Sequence, residues 1–309
     1  MNPRVSIILT TCNRLWLLKE RSLPSALTQT YSNFEVIVVD NNSSDGTEEY
    51  MRDVAAKNPA AKYIRHEKDK GLSASRNTGV RYASGDFVVF LDDDDAFDPR
   101  FLEVTVPVLE KLPYEYGALS VRTMMVMTGR TYYILKKLRE GCFYAAIDDG
   151  WLMRRSVFEK ISWDEDLYQD EDAAFGIEFF KRYKTEAVEE PLFFKYGIRK
   201  IGSHKYFSFS IPSEKRLHGL DNFVRKYLSE FERAGNEKQL VYILRFIGQI
   251  YCMGGKIRRG LPFIWRAFRL KPNLRNAFNL IAALSGRYVY TLYWKVEGTL
   301  SHGDRAIEK

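Results

Sequence analysis

The sequence predicts an α/β fold, in which helices flank a mostly parallel sheet, with an α-helical appendage at the C-terminal end. In the first hundred residues, short runs that are apolar on both faces alternate with segments of helical spacing, which is the pattern of βαβ units. From Ser213 onward the spacing is helical. We therefore predict two parts, a sheet domain over residues 1–212 and a helical region over residues 213–309.

Four apolar runs in the first part are predicted to be strands of a parallel sheet, because each is too short for a helix. Helices are predicted between them, and Pro24 is expected to kink or break the first helix. Turn and capping residues at positions 41–47 lead into the second helix. The predicted strands are Val5–Leu9, Phe34–Val39, Tyr63–His66 and Phe87–Leu91, and the predicted helices are Leu15–Thr28, Thr47–Lys57 and Ser73–Ala83.

Beyond Pro99 the alternation loosens. Two apolar segments on either side of Gly129 are predicted to form a hairpin, and the acids of Asp170–Asp172 lie where a helix dipole favours negative charge. The predicted helices are Phe101–Leu112, Arg155–Ile161 and Asp170 to about Tyr183, and the predicted strands are Ala118–Val126, Thr131–Leu135, Phe143–Ile147 and Ala187–Tyr196.

The fourth predicted strand ends in four consecutive aspartates, Asp92–Asp95. Like charges this close repel each other, so the cluster costs stability unless a cation neutralises it. Hard divalent cations prefer oxygen ligands, and open α/β sheets bind their ligands at the carboxyl ends of the strands. We therefore predict a metal site here, with a solvated acidic turn as the alternative.

The charge balance favours anionic partners, since 47 Lys and Arg against 40 Asp and Glu leave a net charge of +7. The three cysteines, Cys12, Cys142 and Cys252, lie far apart, which argues against a disulfide framework or a CxxC metal site and favours a reducing compartment. Because the first strand begins almost at the amino terminus, we expect no secretory signal. No apolar run of about 18 residues predicts a membrane span.

Five motifs follow one another in the order and spacing of a known family. The sequence resembles the family-two nucleotide-sugar glycosyltransferases, which have the GT-A fold, over residues 1 to about 205. The motifs that carry the resemblance are Val5–Arg14 (VSIILTTCNR), Val36–Thr47 (VIVVDNNSSDGT), Gly71–Gly79 (GLSASRNTG), Gly85–Asp95 (GDFVVFLDDDD) and Glu171–Asp172.

The resemblance implies an inverting enzyme that moves a sugar from a nucleotide diphosphate sugar, such as a UDP-sugar, to a hydroxyl of a glycan or lipid-linked acceptor. The implied setting is the synthesis of cell-surface polysaccharide or lipopolysaccharide, with no nucleic-acid partner. The family often has proline and tyrosine where Thr10 and Cys12 stand. Because the tyrosine would stack on the base, its loss leaves the identity of the base open.

The resemblance places the donor nucleotide on residues that follow the strands. Asp40 matches the carboxylate that accepts a hydrogen bond from the base, and Arg76 matches a position near the diphosphate or the base. Each of these residues has a plain structural alternative, as a loop, strand-end or surface-helix residue. The implied nucleotide-binding residues are Thr10, Asn13, Asp40, Arg76, Asp92 and Asp93.

Asp94 is the residue that the resemblance implies as the direct ligand of Mn2+ or Mg2+. The cation would bridge the two phosphates and act as a Lewis acid on the departing nucleotide. Asp95 is expected to be structural.

Asp172 matches the catalytic base of the family, which takes the proton of the acceptor hydroxyl as that oxygen attacks the anomeric carbon. Glu171 is expected to support it or to touch the acceptor, and helix capping is the alternative for both acids. The resemblance also implies Trp151 at the surface for the acceptor and donor sugars, with a buried tryptophan as an equal alternative. Arg199 and His204 would lie in a basic closing segment, with a plain loop as their alternative.

Three other classes of protein share parts of this pattern. A dinucleotide-dependent oxidoreductase needs GxGxxG after the first strand, and Thr10–Arg14 contains no glycine. A nucleotidyltransferase would have a glycine-rich, lysine-bearing loop at that place. A catalytically inactive binding module is disfavoured by Asp94 and Asp172, and turnover of a nucleotide sugar would separate it from an enzyme.

The helical region is predicted to hold the enzyme at an anionic membrane surface. Lys256–Lys271 carries six basic side chains and no acid, with Phe263, Ile264, Trp265 and Phe268 as a bulky apolar side, a composition typical of an interfacial helix. A helical-hairpin unit that buries these side chains is the alternative, and the two can coexist. We therefore predict a cytoplasmic protein that is peripheral on the membrane if this side docks, and the sequence leaves oligomerisation open.

Overall fold

The structure is a computed structural model that describes residues 4–127, 130–135, 149–168, 170–196, 212–233 and 235–286. The chain divides into two compact units, residues 1–165 with 171–199 and residues 166–170 with 200–309. The described part of the first unit is built on a sheet, and that of the second consists mainly of helices. The boundary predicted after residue 212 stays a prediction, since residues 197–211 lie outside the described ranges.

Four parallel strands form the N-terminal half of the sheet. They are β1 (Val5–Thr11), β2 (Phe34–Asp40), β3 (Ala61–Arg65) and β4 (Phe87–Asp92). Their order is β3-β2-β1-β4. Side chains alternate between the two faces of a sheet, so Ile7 and Leu9 of β1 pack in one core and Ile8 packs in another. Burial on both faces explains why these strands are apolar throughout.

Helical segments connect these strands. They are α1 (Leu15–Leu17), α2 (Leu23–Leu27), α3 (Thr47–Lys57) and α4 (Leu72–Tyr82). A π-helical turn, Leu18–Ser22, joins α1 to α2, and its last hydrogen bond runs from the amide of Leu23 to the carbonyl of Leu18. This turn is the irregularity that was expected at Pro24. The backbone hydrogen bonds change their spacing just before Pro24, which has no N–H to donate.

The second half of the sheet is mixed rather than parallel. Its elements are β5 (Ala96–Phe97), α5 (Phe101–Lys111), β6 (Tyr116–Met127), β7 (Arg130–Leu135), β8 (Trp151–Arg154), a short 3-10 helix (Arg155–Glu159), α6 (Glu171–Phe180) and β9 (Lys184–Tyr196). β8 pairs antiparallel with both β4 and β6, whereas β9 runs parallel to β6. β6 and β7 form the predicted hairpin. The predicted α/β fold is confirmed, with a mixed sheet.

Two of these strands, β5 and β8, were not predicted from the sequence. β8 has only four residues, all of them buried, and β5 has two, so neither is long enough to show a period. Their pairing with β4, β6 and β9 is what defines them as strands. The predicted strand Phe143–Ile147 lies outside the described residues.

Four helices make up most of the described part of the second unit. They are α7 (Glu214–Arg233), α8 (Glu237–Met253), α9 (Ile257–Leu270) and α10 (Leu274–Leu284). α8 and α9 approach closely, because a Cβ added at Gly248 would lie 2.9 Å from the carbonyl oxygen of Gly260. The side chains of Asn236 and Asn273 cap α8 and α10. Within the described ranges, no helix has the length and apolar character needed to cross a membrane.

Gly79→Ala is expected to lower the free energy of unfolding by about 1–3 kcal/mol. The residue lies on the buried face of α4, and an added Cβ would lie 2.2 Å from Cγ2 of Ile8 in β1. Urea denaturation measures the loss. Tyr82→Ala, an exposed change on the same helix, should stay within about 0.5 kcal/mol. Equal stability of the Gly79→Ala variant and the unchanged protein would contradict this helix–strand contact.

Candidate active site

The carboxyl ends of β1, β2 and β4 meet at one edge of the sheet. In the strand register Thr10 lies beside Asp92, and Thr11 lies beside Asp40. Thr10 is a buried residue of β1, so it belongs to the strand rather than to the loop that follows it. The polar residues that follow the three strands are therefore brought together, as expected for an open α/β sheet.

Asp40 is fully buried at the end of β2. Its Oδ1 accepts the backbone N–H of Ser43 at 2.8 Å, and its Oδ2 accepts the hydroxyl of Tyr63 at 2.6 Å. Burial, together with the bond to Asp40, raises the pKa of Tyr63, so this hydroxyl keeps its proton and remains a donor. In this structure Asp40 thus fixes the loop after β2, and its contact with a base stays a prediction.

Asn13 joins the loops that follow β1 and β2. Its backbone has a positive φ of 54°, a conformation that asparagine adopts more readily than most residues. Its N–H donates to the hydroxyl of Ser43, and its Oδ1 accepts the N–H of Ser44, each at 2.8 Å. The two loops therefore form one hydrogen-bonded rim at the edge of the sheet.

The four aspartates after Leu91 differ in their exposure. The side chains of Asp92 and Asp94 are 27% and 21% exposed, whereas those of Asp93 and Asp95 are buried. Asp93 accepts the hydroxyl of Thr11 at 2.7 Å, and Asp95 accepts the backbone N–H of Tyr196 at 2.9 Å. Alternate members of the run thus anchor the segment, while Asp92 and Asp94 offer carboxylate oxygens toward solvent.

Arg14 is a functional candidate that the sequence reasoning missed. Its guanidinium lies 2.6 Å from Oδ1 of Asp93 and 3.2 Å from Oδ2 of Asp94. Burial raises the pKa of Asp93 to about 7, although the charge of Arg14 opposes the rise. The available signal was an arginine directly after the first strand, at the edge where the aspartates gather.

Arg76 connects the aspartates to the start of α6. It is buried on α4, where its guanidinium lies 3.1 Å from Oε1 of Glu171 and 3.4 Å from Oδ1 of Asp92. It also lies 4.5 Å from the centre of the Trp163 ring, an attractive arrangement for a cation. Although burial would raise the pKa of Asp92, Arg76 helps to hold it below its ordinary value.

Glu171 and Asp172 form the first turn of α6. Burial raises the pKa of Glu171, even though the charge of Arg76 opposes the rise. Oδ1 of Asp172 accepts the N–H of Ala173 at 2.7 Å, so the carboxylate lies at the helix start, where the dipole favours negative charge. Through Glu171 and Arg76, Asp172 is brought to the same edge of the sheet as Asp92.

Asp149 is a second residue of the site that the sequence reasoning missed. It is buried, and Oδ1 lies 3.9 Å from the guanidinium of Arg76. Burial raises the pKa of Asp149 well above its ordinary value, and the charge of Asp92 adds to the rise. No sequence signal separates this residue from the neighbouring acid at position 148.

The remaining predicted site residues are placed as follows. Trp151 is buried in β8 with Phe90 and Trp163 in one core cluster, so its ring is a core residue here rather than a surface for a sugar. Arg199 and His204 lie outside the described residues. Among the described residues, no group of three or more His, Cys, Asp or Glu side chains is arranged to hold a metal ion.

Arg76→Gln is expected to lower the free energy of unfolding by about 3–5 kcal/mol, because it leaves buried carboxylates without their cation. The loss should shrink as the pH falls, since protonation of Glu171, whose pKa burial raises, removes an uncompensated charge. Urea denaturation at several pH values measures both effects. The control is Arg52→Gln, which removes an exposed pair on α3. A loss that grows on acidification would contradict the explanation.

The comparison with protein families decides the class of the protein. The model of glycosyl transferase family 2 matches residues 6–162, which is just over half of the chain. The chain belongs to glycosyl transferase family 2. It is therefore a glycosyltransferase, as its motifs predicted, and the matched segment contains the ends of β1, β2 and β4, together with Arg76 and Asp149.

Relatives and a solved structure agree with this family. WcaA of Escherichia coli K12, whose name assigns it to colanic acid biosynthesis, is 25% identical over 93% of this chain and 99% of its own length. The glucosyltransferase WfgD of Escherichia coli, whose name gives UDP-Glc and α-D-GlcNAc-diphosphoundecaprenol as substrates, is 32% identical over 47% of this chain and 60% of its own length.

The structural comparison supports the fold. The mannosyltransferase PcManGT of Pyrobaculum calidifontis, solved with GDP-Man and Mn2+, matches with a TM-score of 0.54. The match covers 92% of this chain and 80% of that chain at 19% identity. At this identity the match shows a shared GT-A architecture, which confirms the fold predicted from the motifs.

Proposed function

We propose that this glycosyltransferase moves a sugar from a nucleoside diphosphate sugar to a hydroxyl of a lipid-linked glycan during assembly of a cell-surface polysaccharide. One observation carries the proposal: the aspartates after β4, Arg76 of α4 and the acids of α6 meet at one edge of the sheet. The name of WfgD supports a lipid-linked acceptor, and the name of WcaA supports a role in polysaccharide assembly. The name of WfgD gives UDP-Glc, and PcManGT was solved with GDP-Man, so uracil and guanine are both candidate bases of the donor.

The nucleoside of the donor would lie on the rim formed by the loops after β1 and β2, beside Thr10 and Asn13. Asp40 already accepts hydrogen bonds from Ser43 and Tyr63. Because Asp40 is fully buried, an N–H of the base would reach its carboxylate only after a shift of the rim loops, and a carboxylate oxygen has the second lone pair needed to accept it. This arrangement would favour a base that has a ring N–H, as uracil and guanine do.

The acids after β4 fit a divalent cation such as Mn2+ or Mg2+. Mg2+ usually binds through one or two carboxylates, with phosphate oxygens and waters completing its ligands. Asp94 would be the direct ligand and Asp92 would lie beside it, and both keep exposed surface. When bound, the cation would supply positive charge that stabilises the departing nucleotide diphosphate. Asp93 would act indirectly, because its buried carboxylate holds Arg14 and Thr11 in place.

Asp172 would take the proton of the acceptor hydroxyl while the oxygen attacks the anomeric carbon from the side opposite the nucleotide. The configuration at that carbon would therefore invert. Glu171 would remain bound to Arg76, which fixes the start of α6 and with it the position of Asp172. The free cysteines Cys12 and Cys252 support a cytoplasmic setting.

Donor binding tests this function. Melting temperature is measured with UDP-glucose, GDP-mannose and UDP, each with and without Mn2+. A donor at about 100 times its dissociation constant should stabilise the protein by about 2.7 kcal/mol, and Mn2+ should increase the effect. Release of nucleotide with a lipid-linked acceptor then separates an enzyme from an inactive binder. If neither nucleotide sugar nor UDP stabilises the protein, the proposed donor class is wrong.

A further inference from the structure

Helix α10 in the second unit exposes its apolar side. Leu274, Phe278, Ile281 and Leu284 are 54–78% exposed, and their spacing of three and four residues places them along one face of the helix. We name these four residues the α10 ridge. Exposed apolar patches of this kind mark interaction sites more often than ordinary surface does.

The buried side of α10 carries polar residues instead. Asn276 and Asn279 are buried. Asn276 donates to the carbonyl of Lys271 at 2.8 Å, and Asn279 accepts from the side chain of Gln249 at 2.9 Å. These bonds hold the asparagines inward, so a rotation of α10 that buried the ridge would break both of them.

The neighbouring helix α9 presents a basic outer face. Arg258 and Arg269 are exposed, as is Trp265, and Arg266, which is also exposed, pairs with Glu232 of α7, whereas Ile264 is buried and Phe263 is packed inward. Two of the apolar side chains that the sequence assigned to a membrane-facing side are therefore core residues of the second unit. The large apolar side chains that α9 and α10 expose to solvent are Trp265, Leu270 and the four residues of the α10 ridge.

The sign of the charge identifies the class of partner. No acid occurs between Glu237 and Glu297, whereas 11 Lys and Arg residues lie there. Each basic residue near an anionic leaflet strengthens binding to it. Exposed aromatic and aliphatic side chains next to arginines are the composition of a helix that lies in the plane of the bilayer surface, with the apolar side chains at the acyl boundary and the arginines at the headgroups.

We propose that α9 and α10 bind the surface of an anionic lipid bilayer, with the α10 ridge inserted at the acyl boundary and the arginines of α9 on lipid phosphates. A second copy of this chain fits the surface less well. A two-fold interface pairs the same surface of both copies, which would bring two surfaces of net positive charge together, since residues 238–296 contain no acid. This inference does not depend on the donor or the acceptor.

Vesicle co-flotation of the full chain tests the proposal, with vesicles of phosphatidylcholine alone or mixed with phosphatidylglycerol. The protein should float with the mixed vesicles at low salt and be released by high salt. Phe278→Gln combined with Ile281→Gln should weaken binding at least about tenfold. Arg258→Gln and Arg269→Gln should each weaken binding to the mixed vesicles about fivefold and leave binding to vesicles of phosphatidylcholine alone unchanged.

Matched controls separate this surface from a general charge or folding effect. Arg52→Gln with Lys57→Gln removes two exposed cations of α3, and binding should not change. Thermal melts should show that the α10 variant, changed only at exposed positions, remains folded. Failure to float with mixed vesicles at low salt, or unchanged binding of the α10 variant, would overturn the proposal. Dimerisation that the α10 variant abolishes, without flotation, would assign the ridge to a second copy instead.

Discussion

We expect Asp172→Asn to lower the rate of sugar transfer by a factor of about 10² or more, while the affinity for the donor should stay near that of the unchanged protein. The amide keeps the shape of the side chain at the start of α6 but cannot take the proton of the acceptor hydroxyl. Initial rates at saturating donor, with donor affinity from calorimetry, measure the two quantities separately. A loss in rate alone assigns the residue to the chemical step.

Glu178→Gln is the control for this change. It is also an acid-to-amide substitution on α6, but its carboxylate pairs with Lys181 and Arg182 at the surface, and it should leave the rate nearly unchanged. The anomeric configuration of the product, read by NMR, checks the stereochemistry. A product with the configuration of the donor would refute a single displacement with Asp172 as base.

We expect Asp94→Ala to abolish the effect of Mn2+ on nucleotide binding and to reduce transfer to background. The substitution removes the carboxylate proposed to hold the cation, whereas Arg14 keeps its bonds to Asp93. Calorimetry of UDP binding with Mn2+ and with a chelator provides a readout that is independent of turnover. In the unchanged protein Mn2+ should tighten UDP, and in the variant the two titrations should coincide.

Asp53→Ala, which removes an exposed carboxylate of α3, is the matched control and should behave as the unchanged protein. A thermal melt of the Asp94→Ala variant checks that the segment after β4 remains folded. Transfer by this variant in the presence of a chelator, at the rate of the unchanged protein, would show that the reaction needs neither Asp94 nor a cation.

Local patterns were sufficient to predict the N-terminal half of the first unit. α3 occupies Thr47–Lys57 as predicted, and β1, β2 and β4 lie where the apolar runs lie. Each of these strands is buried on both faces and bounded by turn residues, so its own composition determines it. The motifs were also sufficient to identify the family. Those at the ends of β1, β2 and β4 lie close together because neighbouring parallel strands bring their carboxyl ends to one edge of the sheet.

Contacts between residues distant in sequence decided the parts that were not predicted. Arg14 and Asp149 became site residues only because the sheet brings them to Asp93 and Arg76. Trp151 could have faced a sugar or the core, and the pairing of β8 with β4 and β6 buried it.

The sequence by itself determined the family of this protein and the strands β1, β2 and β4, because these follow from short segments whose composition is sufficient to define them. The tertiary structure alone decided which side chains face outward. Helical spacing shows that α10 has an apolar side, but not whether that side is buried, since burial depends on what the rest of the chain places against it. Bonded asparagines hold the opposite side of α10 inward, and the ridge therefore remains at the surface.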